Sequence, residues 1–302
     1  MANDVITLRG ISKAYRKNQV LSDYNLSVKK GHICGLIGPN GIGKTTIIKI
    51  IAGWTAQDSG ELFLFGDSEK TDDSRHRMSF LIERPSCMPC WSARQNLEYM
   101  RYLSGYPDEK RIDEVLEIVG LKDAGNKKFS KFSLGMQQRL GIAMALLSQP
   151  EVLVLDEPIN GMDPEGIVDI RNLILKMKRE WGTTVLISSH ILTEMTELCT
   201  DYSIIRPNRA FENVSAEELF AKCCGYIAVR TDDICRTTAV LESELKIHKY
   251  KVVRNEEIHI LERMDELPVI SRTLTDNGLT ITKLVEQKQN LEDYYLGKEG
   301  SV

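Results

Sequence analysis

Two short stretches of this chain carry residues that could handle phosphate together. Gly38-Pro39-Asn40-Gly41-Ile42-Gly43-Lys44-Thr45 satisfies the pattern G-x-x-x-x-G-K-[ST], and it lies between an apolar run and a helical one. Glycines let the backbone curl so that successive amides point at phosphate oxygens, and a helix beginning near Lys44 and Thr46 adds its positive end. Lys44 is placed to reach β- and γ-phosphates, and Thr45 to ligate Mg²⁺. Downstream, Glu151-Val-Leu-Val-Leu-Asp156-Glu157-Pro158 puts two acids at the end of an apolar strand, the edge at which α/β sheets bind ligands. Asp156 there can hold Mg²⁺, and Glu157 can polarise a water attacking the γ-phosphate. A plain glycine turn and a pair of capping acids are the bland readings of the two stretches. Their occurrence in one chain, in this order, favours nucleoside triphosphate binding with hydrolysis.

Positioning these residues requires a parallel sheet. Strands are expected over His32 to Ile37, Ser79 to Ile82, Val152 to Leu155 and Thr184 to Ile187. Helices are expected over Lys44 to Ala52, Ser92 to Leu103, Ile112 to Val119, Gln137 to Ser148 and Glu165 to Trp181. This alternation predicts an α/β domain over 1–207, with an antiparallel edge from Val5 to Leu8, Leu26 to Lys29 and Glu61 to Phe65. After Arg206-Pro-Asn the texture changes. A linker helix is expected within 208–224, its core at Ser215 to Lys222. Residues 225–302 follow as a small α+β module in the order β-α-β-β-α-β, a ferredoxin-like arrangement.

The chain has 302 residues, 42% hydrophobic and 27% charged, which suits one large and one smaller domain. Its 39 basic against 43 acidic residues give a net charge of -4, so no general pull toward nucleic acid or anionic lipid is expected. The first residues lack the basic start and apolar core of a signal peptide. No apolar run approaches the roughly 20 residues of a membrane helix, so a cytoplasmic chain is expected. Seven cysteines without framework spacing fit a reducing compartment. Cys87 and Cys90 form a Cys-x-x-Cys without a second ligand pair, and His248 and His259 lack companion ligands, which argues against a transition-metal site.

Lys131-Phe132-Ser133-Leu134-Gly135-Met136-Gln137-Gln138-Arg139 resembles the signature motif of ATP-binding-cassette proteins, upstream of the Asp-Glu strand where that family keeps it. Asn160-Gly161-Met162-Asp163 is similar to the family's D-loop, and Ser188-Ser189-His190 to its switch histidine. Tyr15 is similar to the aromatic residue that stacks on adenine. The resemblance covers about the first 205 residues. It implies a P-loop NTPase fold with a helical subdomain at about 86–136, ATP and Mg²⁺ as ligands, and head-to-tail dimers with shared sites. Ser133 and Gly135 of one subunit would then complete the γ-phosphate shell of the other, with Asp163 at the junction and His190 in the catalytic set.

Two motifs depart from the family pattern. Phe132, Leu134 and Met136 stand where Leu, Gly and Gln are usual, and Glu83 stands where the Q-loop has Gln. A carboxylate at 83 can ligate Mg²⁺ or orient water, and its charge adds to those of Asp156 and Glu157. These variants resemble the subgroup serving bacitracin-resistance and lantibiotic-immunity exporters, whose membrane subunit is a separate chain. The resemblance implies an ATPase subunit on the inner face of the membrane, with a permease partner and a second cassette in a homodimer or heterodimer. A soluble non-transport ATPase and a nucleotide-gated regulator are the alternatives. In the family, the region between Q-loop and signature receives a helix of the membrane subunit. Here it holds Met88, Trp91, Tyr99, Met100, Tyr102 and Tyr106, with Trp91 the first candidate for contact and a helical-subdomain core the competing role.

Overall fold

Ile33–Ile37, Val152–Asp156 and Thr184–Ser189 are buried at every position, as strands covered by helices on both faces must be. In this computed structural model, which describes residues 3–16, 18–68, 71–206, 210–222, 225–253 and 257–287, the chain divides into two units, Met1–Ala216 and Glu217–Val302.

The first unit opens with β1 (Asp4–Tyr15), β2 (Asn18–Lys29) and β3 (Ile33–Ile37), followed by α1 (Lys44–Ile51), β4 (Ser59–Leu64), α2 (Thr71–Arg75) and β5 (Met78–Leu81). Three helices follow, α3 (Ala93–Ser104), α4 (Lys110–Ile118) and α5 (Leu134–Leu146). The rest is β6 (Val152–Asp156), α6 (Pro164–Trp181), β7 (Thr184–Ser189), α7 (Leu192–Met195), β8 (Asp201–Ile205) and β9 (Phe211–Ser215). The main sheet runs β5-β6-β7-β3-β8-β9. Its first five strands are parallel, and β9 is antiparallel to β8. A separate antiparallel sheet, β2-β1-β4, supplies the expected edge. Its hairpin strands extend much further than the short apolar runs indicated, because bulges break the alternation at several points between β1 and β2.

Within the span 208–224 the helix expected over Ser215 to Lys222 is present as Ala216–Lys222, and among the described residues only those before it differ from a linker helix. Phe211–Ser215 is a strand, held by pairing with Asp201–Ile205 and by the edge-on packing of Phe211 against Tyr24 at 5.1 Å. Residues 207–209 and 223–224, at the two ends of the expected linker, lie outside the described residues, as does the last part of the expected C-terminal module.

Local chemistry accounts for the helical subdomain. Ser92 and Gln95 close a capping box at the start of α3, and Gly105 in the left-handed region ends it. A Cβ on Gly141 of α5 would sit 2.9 Å from Leu81 Cδ1 and from Pro85 Cβ, so glycine is what lets this helix lie against β5 and the turn after it.

After α8 (Ala216–Lys222), at whose first residue the first unit ends, the second unit holds β10 (Tyr226–Thr231), α9 (Ile234–Ser243), β11 (Tyr250–Val253), β12 (Glu257–Ile260), α10 (Leu267–Asp276) and β13 (Ile281–Gln287). From β10 on, the order is β-α-β-β-α-β, and the sheet order β11-β12-β10-β13 with antiparallel pairing is that of a ferredoxin-like module. Ile227, Val229, Ile258 and Ile260 of the sheet meet Leu241 and Leu274 of the helices in its core.

Candidate functional site

The loop after β3 ends at Gly43, whose φ of 121° is open only to glycine and whose Cβ position lies 3.0 Å from Val20 and Leu21 of β2. Gly43 caps α1 without any side-chain hydrogen bond. Among the described residues, the amides of Gly41, Gly43, Lys44, Thr45 and Thr46 find no protein acceptor. A helix start left uncapped in this way presents its donors and its positive end to an anion. Lys44 is buried, and its ammonium donates to the Gly38 carbonyl at 2.6 Å and the Pro39 carbonyl at 3.2 Å, folding back over the same loop.

Strand register brings the acids to this loop. β6 lies beside β7, with Asp156 opposite Ser188. Asp156 is 2% exposed. Its Oδ2 accepts from the Thr45 hydroxyl at 2.8 Å and its Oδ1 from the Ser188 hydroxyl at 2.6 Å. Glu157, at φ 49°, adopts the left-handed backbone that non-glycine residues avoid, at a cost of about 1–3 kcal/mol. Its amide donates to Ser188 Oγ at 2.9 Å, and its Oε2 meets His190 Nδ1 at 2.9 Å. Its Oε1 lies 3.1 Å from Lys44 Nζ, a charge pair without hydrogen-bond alignment, so this buried oxygen keeps its lone pairs unengaged. Nearby on α7, burial raises the Glu194 carboxyl above its ordinary range, Glu157 adds to the rise, and His190 opposes it.

This donor set fits a triphosphate with its magnesium. Free amides at a helix start suit phosphate oxygens, and the Thr45 hydroxyl beside the Asp156 carboxylate supplies hard oxygen ligands of the kind Mg²⁺ takes. Lys44, Thr45, Asp156, Glu157 and His190 therefore converge as the sequence indicated. Glu83 does not join them. It too has a left-handed backbone, φ 62°, but its carboxylate pairs with Lys49 of α1 at 3.0 Å, and it makes no hydrogen bond with Thr45 or Asp156.

Tyr15 ends β1 with an exposed ring, Lys13 Nζ lying 5.6 Å from its centre. The partner strand β2 carries the Val20 and Leu21 that touch the phosphate loop. Ser133 caps α5, accepting from the Met136 amide at 3.4 Å, and Asp163 caps α6, accepting from the Gly166 amide at 3.2 Å. Ser133, Gly135 and Asp163 share a groove of about 420 Å³ with Met162 and Arg139. Within one chain they make no hydrogen bond to Lys44, Asp156 or Glu157.

A second groove, of about 440 Å³, runs between β5 and α5 and is lined by Trp54, Leu81, Pro85, Met100, Gly141 and Met144 among others. Of the interface residues expected from sequence only Met100 lines it. Trp91 is half-buried and packs edge-on to Tyr99 at 5.5 Å. Trp54, 66% exposed, went unrecognised because it lies far upstream in sequence. Ser188 and Lys49 were missed for a related reason, since only pairing of β6 with β7 and packing beside α1 reveal their partners. At Cys87, burial pushes the thiol up to about 11, and its Sγ lies 3.4 Å from Met144 Sδ.

Residues 21–160 match the family described as ABC transporter. The chain is 37% identical to the uncharacterized ABC transporter ATP-binding protein YcbN of Bacillus subtilis (strain 168), over 97% of this chain and 96% of that one. It is 34% identical to the bacitracin transport ATP-binding protein BcrA of Bacillus licheniformis, again over 97% and 96%. Among solved structures, cbiO1 from Clostridium perfringens, part of the ABC transporter complex cbiONQ, matches with a TM-score of 0.66 at 22% identity, covering 81% of this chain and 97% of that one, a likeness of fold.

Proposed function

Because this chain belongs to the ABC transporter family, as one of its ATP-binding, ATP-hydrolysing proteins, we propose that it powers export of a peptide antibiotic or similar drug-like molecule through a separate membrane subunit. The observation that carries the reading is the convergence of the uncapped α1 start, the Thr45–Asp156 pair and the Glu157–His190 pair at one end of the sheet. The similarity to a bacitracin transport protein along nearly the whole chain supports the cargo class.

In this reading the amides of Gly41 and of Gly43 to Thr46 receive the phosphates, and Lys44 exchanges its two loop carbonyls for β- and γ-oxygens. Thr45 and Asp156 would hold Mg²⁺, which when bound would supply positive charge to the phosphates. Glu157 accepts a hydrogen bond from the attacking water through Oε1, the oxygen left unengaged in the cluster, while His190 holds Oε2. Tyr15 stacks on adenine. The groove of Ser133, Gly135 and Asp163 faces the triphosphate of a second cassette, which is why these residues stand apart from the acids within one chain. Glu83 is held by Lys49 in an exposed pair worth about 0–1 kcal/mol, so moving it toward the metal costs little. The apolar groove between β5 and α5 takes the membrane subunit, placing the chain at the inner face of the membrane; no helix among the described residues is long and apolar enough to cross one.

Co-expression with its membrane subunit in a bacitracin-sensitive bacterium tests the assignment. Tolerance should rise with the parent chain and return to background with Glu157→Gln. Unchanged tolerance to bacitracin and to other peptide antibiotics would reject this cargo class.

A further inference from the structure

One buried hydroxyl connects the two acids, and none of the roles above uses it. Ser188, next to last in β7, is fully buried, with one proton and lone pairs to place. The proton goes to Asp156 Oδ1 at 2.6 Å, and the oxygen accepts the Glu157 amide at 2.9 Å. We infer that Ser188 is a positioning residue of the hydrolytic site, fixing the Asp156 carboxylate for its metal and the Glu157 backbone in its left-handed turn through a single hydroxyl.

The geometry gives it both tasks. Asp156 is held by two hydroxyls, from Thr45 on α1 and Ser188 on β7. Thr45 must turn lone pairs toward a metal to ligate it, whereas Ser188 lies on the other carboxylate oxygen and can keep its bond throughout. Glu157 needs a restraint because φ 49° is a strained value for a side chain that must be aimed, and its amide has Ser188 as its acceptor. Two residues further on is His190, bonded to the Glu157 carboxylate. A movement of the β7 end would therefore carry metal ligand, base and histidine together. An alanine at 188 would orphan a buried amide and free one oxygen of a buried carboxylate.

This inference rests on the ATPase reading, and the test separates the two. Ser188→Ala is compared with the parent by Mn²⁺ titration, followed by electron paramagnetic resonance, in the presence of a non-hydrolysable ATP analogue. Mg²⁺-dependent turnover and metal-free nucleotide affinity are measured beside it. Partners behind a metal ligand typically change affinity or rate by about 10–100-fold. The expected result is a weakening of Mn²⁺ and a fall in kcat of about tenfold or more, with metal-free nucleotide affinity unchanged. Metal affinity and kcat within about twofold of the parent would overturn the inference while leaving the ATPase reading intact. A parent chain that binds no Mn²⁺ with nucleotide overturns both. Should the alanine variant melt early, Ser188→Cys, close in volume and a weaker donor, decides by the same readouts. A loss of metal affinity in a stably folded chain supports the role, and parent-like values reject it.

Discussion

Each unit of this protein buries a carboxylate, and the two are treated in opposite ways. Asp156, 2% exposed, is held by two neutral hydroxyls and makes no ion pair with any described residue. Glu257 on β12 is 7% exposed and faces two cations, Lys283 at 2.9 Å and Arg230 at 3.4 Å, and the ring of His259 at 2.9 Å, itself stacked on Tyr226. Burial works against the ionisation of Glu257, yet the hydrogen bonds and charges of Lys283 and His259 outweigh it and hold the carboxyl below its ordinary range. A buried charge left without a counterion costs stability and waits for a cation from outside. One saturated with counterions belongs to the fold. On this criterion the first unit is built for chemistry, while the polar cluster of the second is structural.

The sharpest way to break this contrast is to neutralise each acid in turn. Asp156→Asn should lower Mg²⁺-dependent ATP hydrolysis by about 100-fold or more. The same change should leave the nucleotide-free melting temperature unchanged or higher, because it removes an uncompensated buried charge. Calorimetry beside a turnover assay checks both. Glu257→Gln should do the reverse, costing about 1–3 kcal/mol in denaturant unfolding with turnover in the parent range. The sign with pH follows from its lowered pKa. The stability Glu257 supplies is present above the ordinary carboxylate value of 4.5 and is lost as pH falls through the lower folded-state pKa, so parent and variant should converge in acid. Equal sensitivity of turnover to both substitutions would erase the distinction.

Glu194 gives the smallest effect. Its carboxyl is raised by burial and by Glu157, so its ionised form opposes folding. The stability its protonated form supplies is complete below the ordinary value of 4.5 and lost as pH rises through the folded-state pKa. Glu194→Gln should therefore raise the melting temperature slightly at pH 7, and a pH series of melts should show that gain vanish below about 4.5.

The legibility of the sequence followed the same division. The phosphate loop and the Asp156-Glu157 pair could be found because each is contiguous and lies at the end of an apolar strand, where side-chain type and spacing suffice. The ferredoxin-like order was legible from the alternation of short apolar runs. Ser188 and Lys49 were not, since a serine in β7 gains meaning only from its register beside Asp156, and Lys49 only from the turn that brings Glu83 to α1. The metal role of Glu83 follows from its motif position alone, and its pairing with a lysine one helical turn beyond Thr45 is legible only in the fold. The β8–β9 hairpin was hidden because Arg206-Pro-Asn looked like a domain boundary, when five residue pairs across it complete the sheet.

Whether the convergence at the end of β6 hydrolyses ATP, with Glu157 as the group acting on water, is decided by Glu157→Gln, which keeps shape while removing charge. Mg²⁺-dependent phosphate release and gel filtration with ATP should be measured on the purified parent and variant. The parent should turn over, and the variant should retain ATP and accumulate as a dimer. A parent that binds ATP without turning over, or a variant that hydrolyses at the parent's rate, would contradict this assignment.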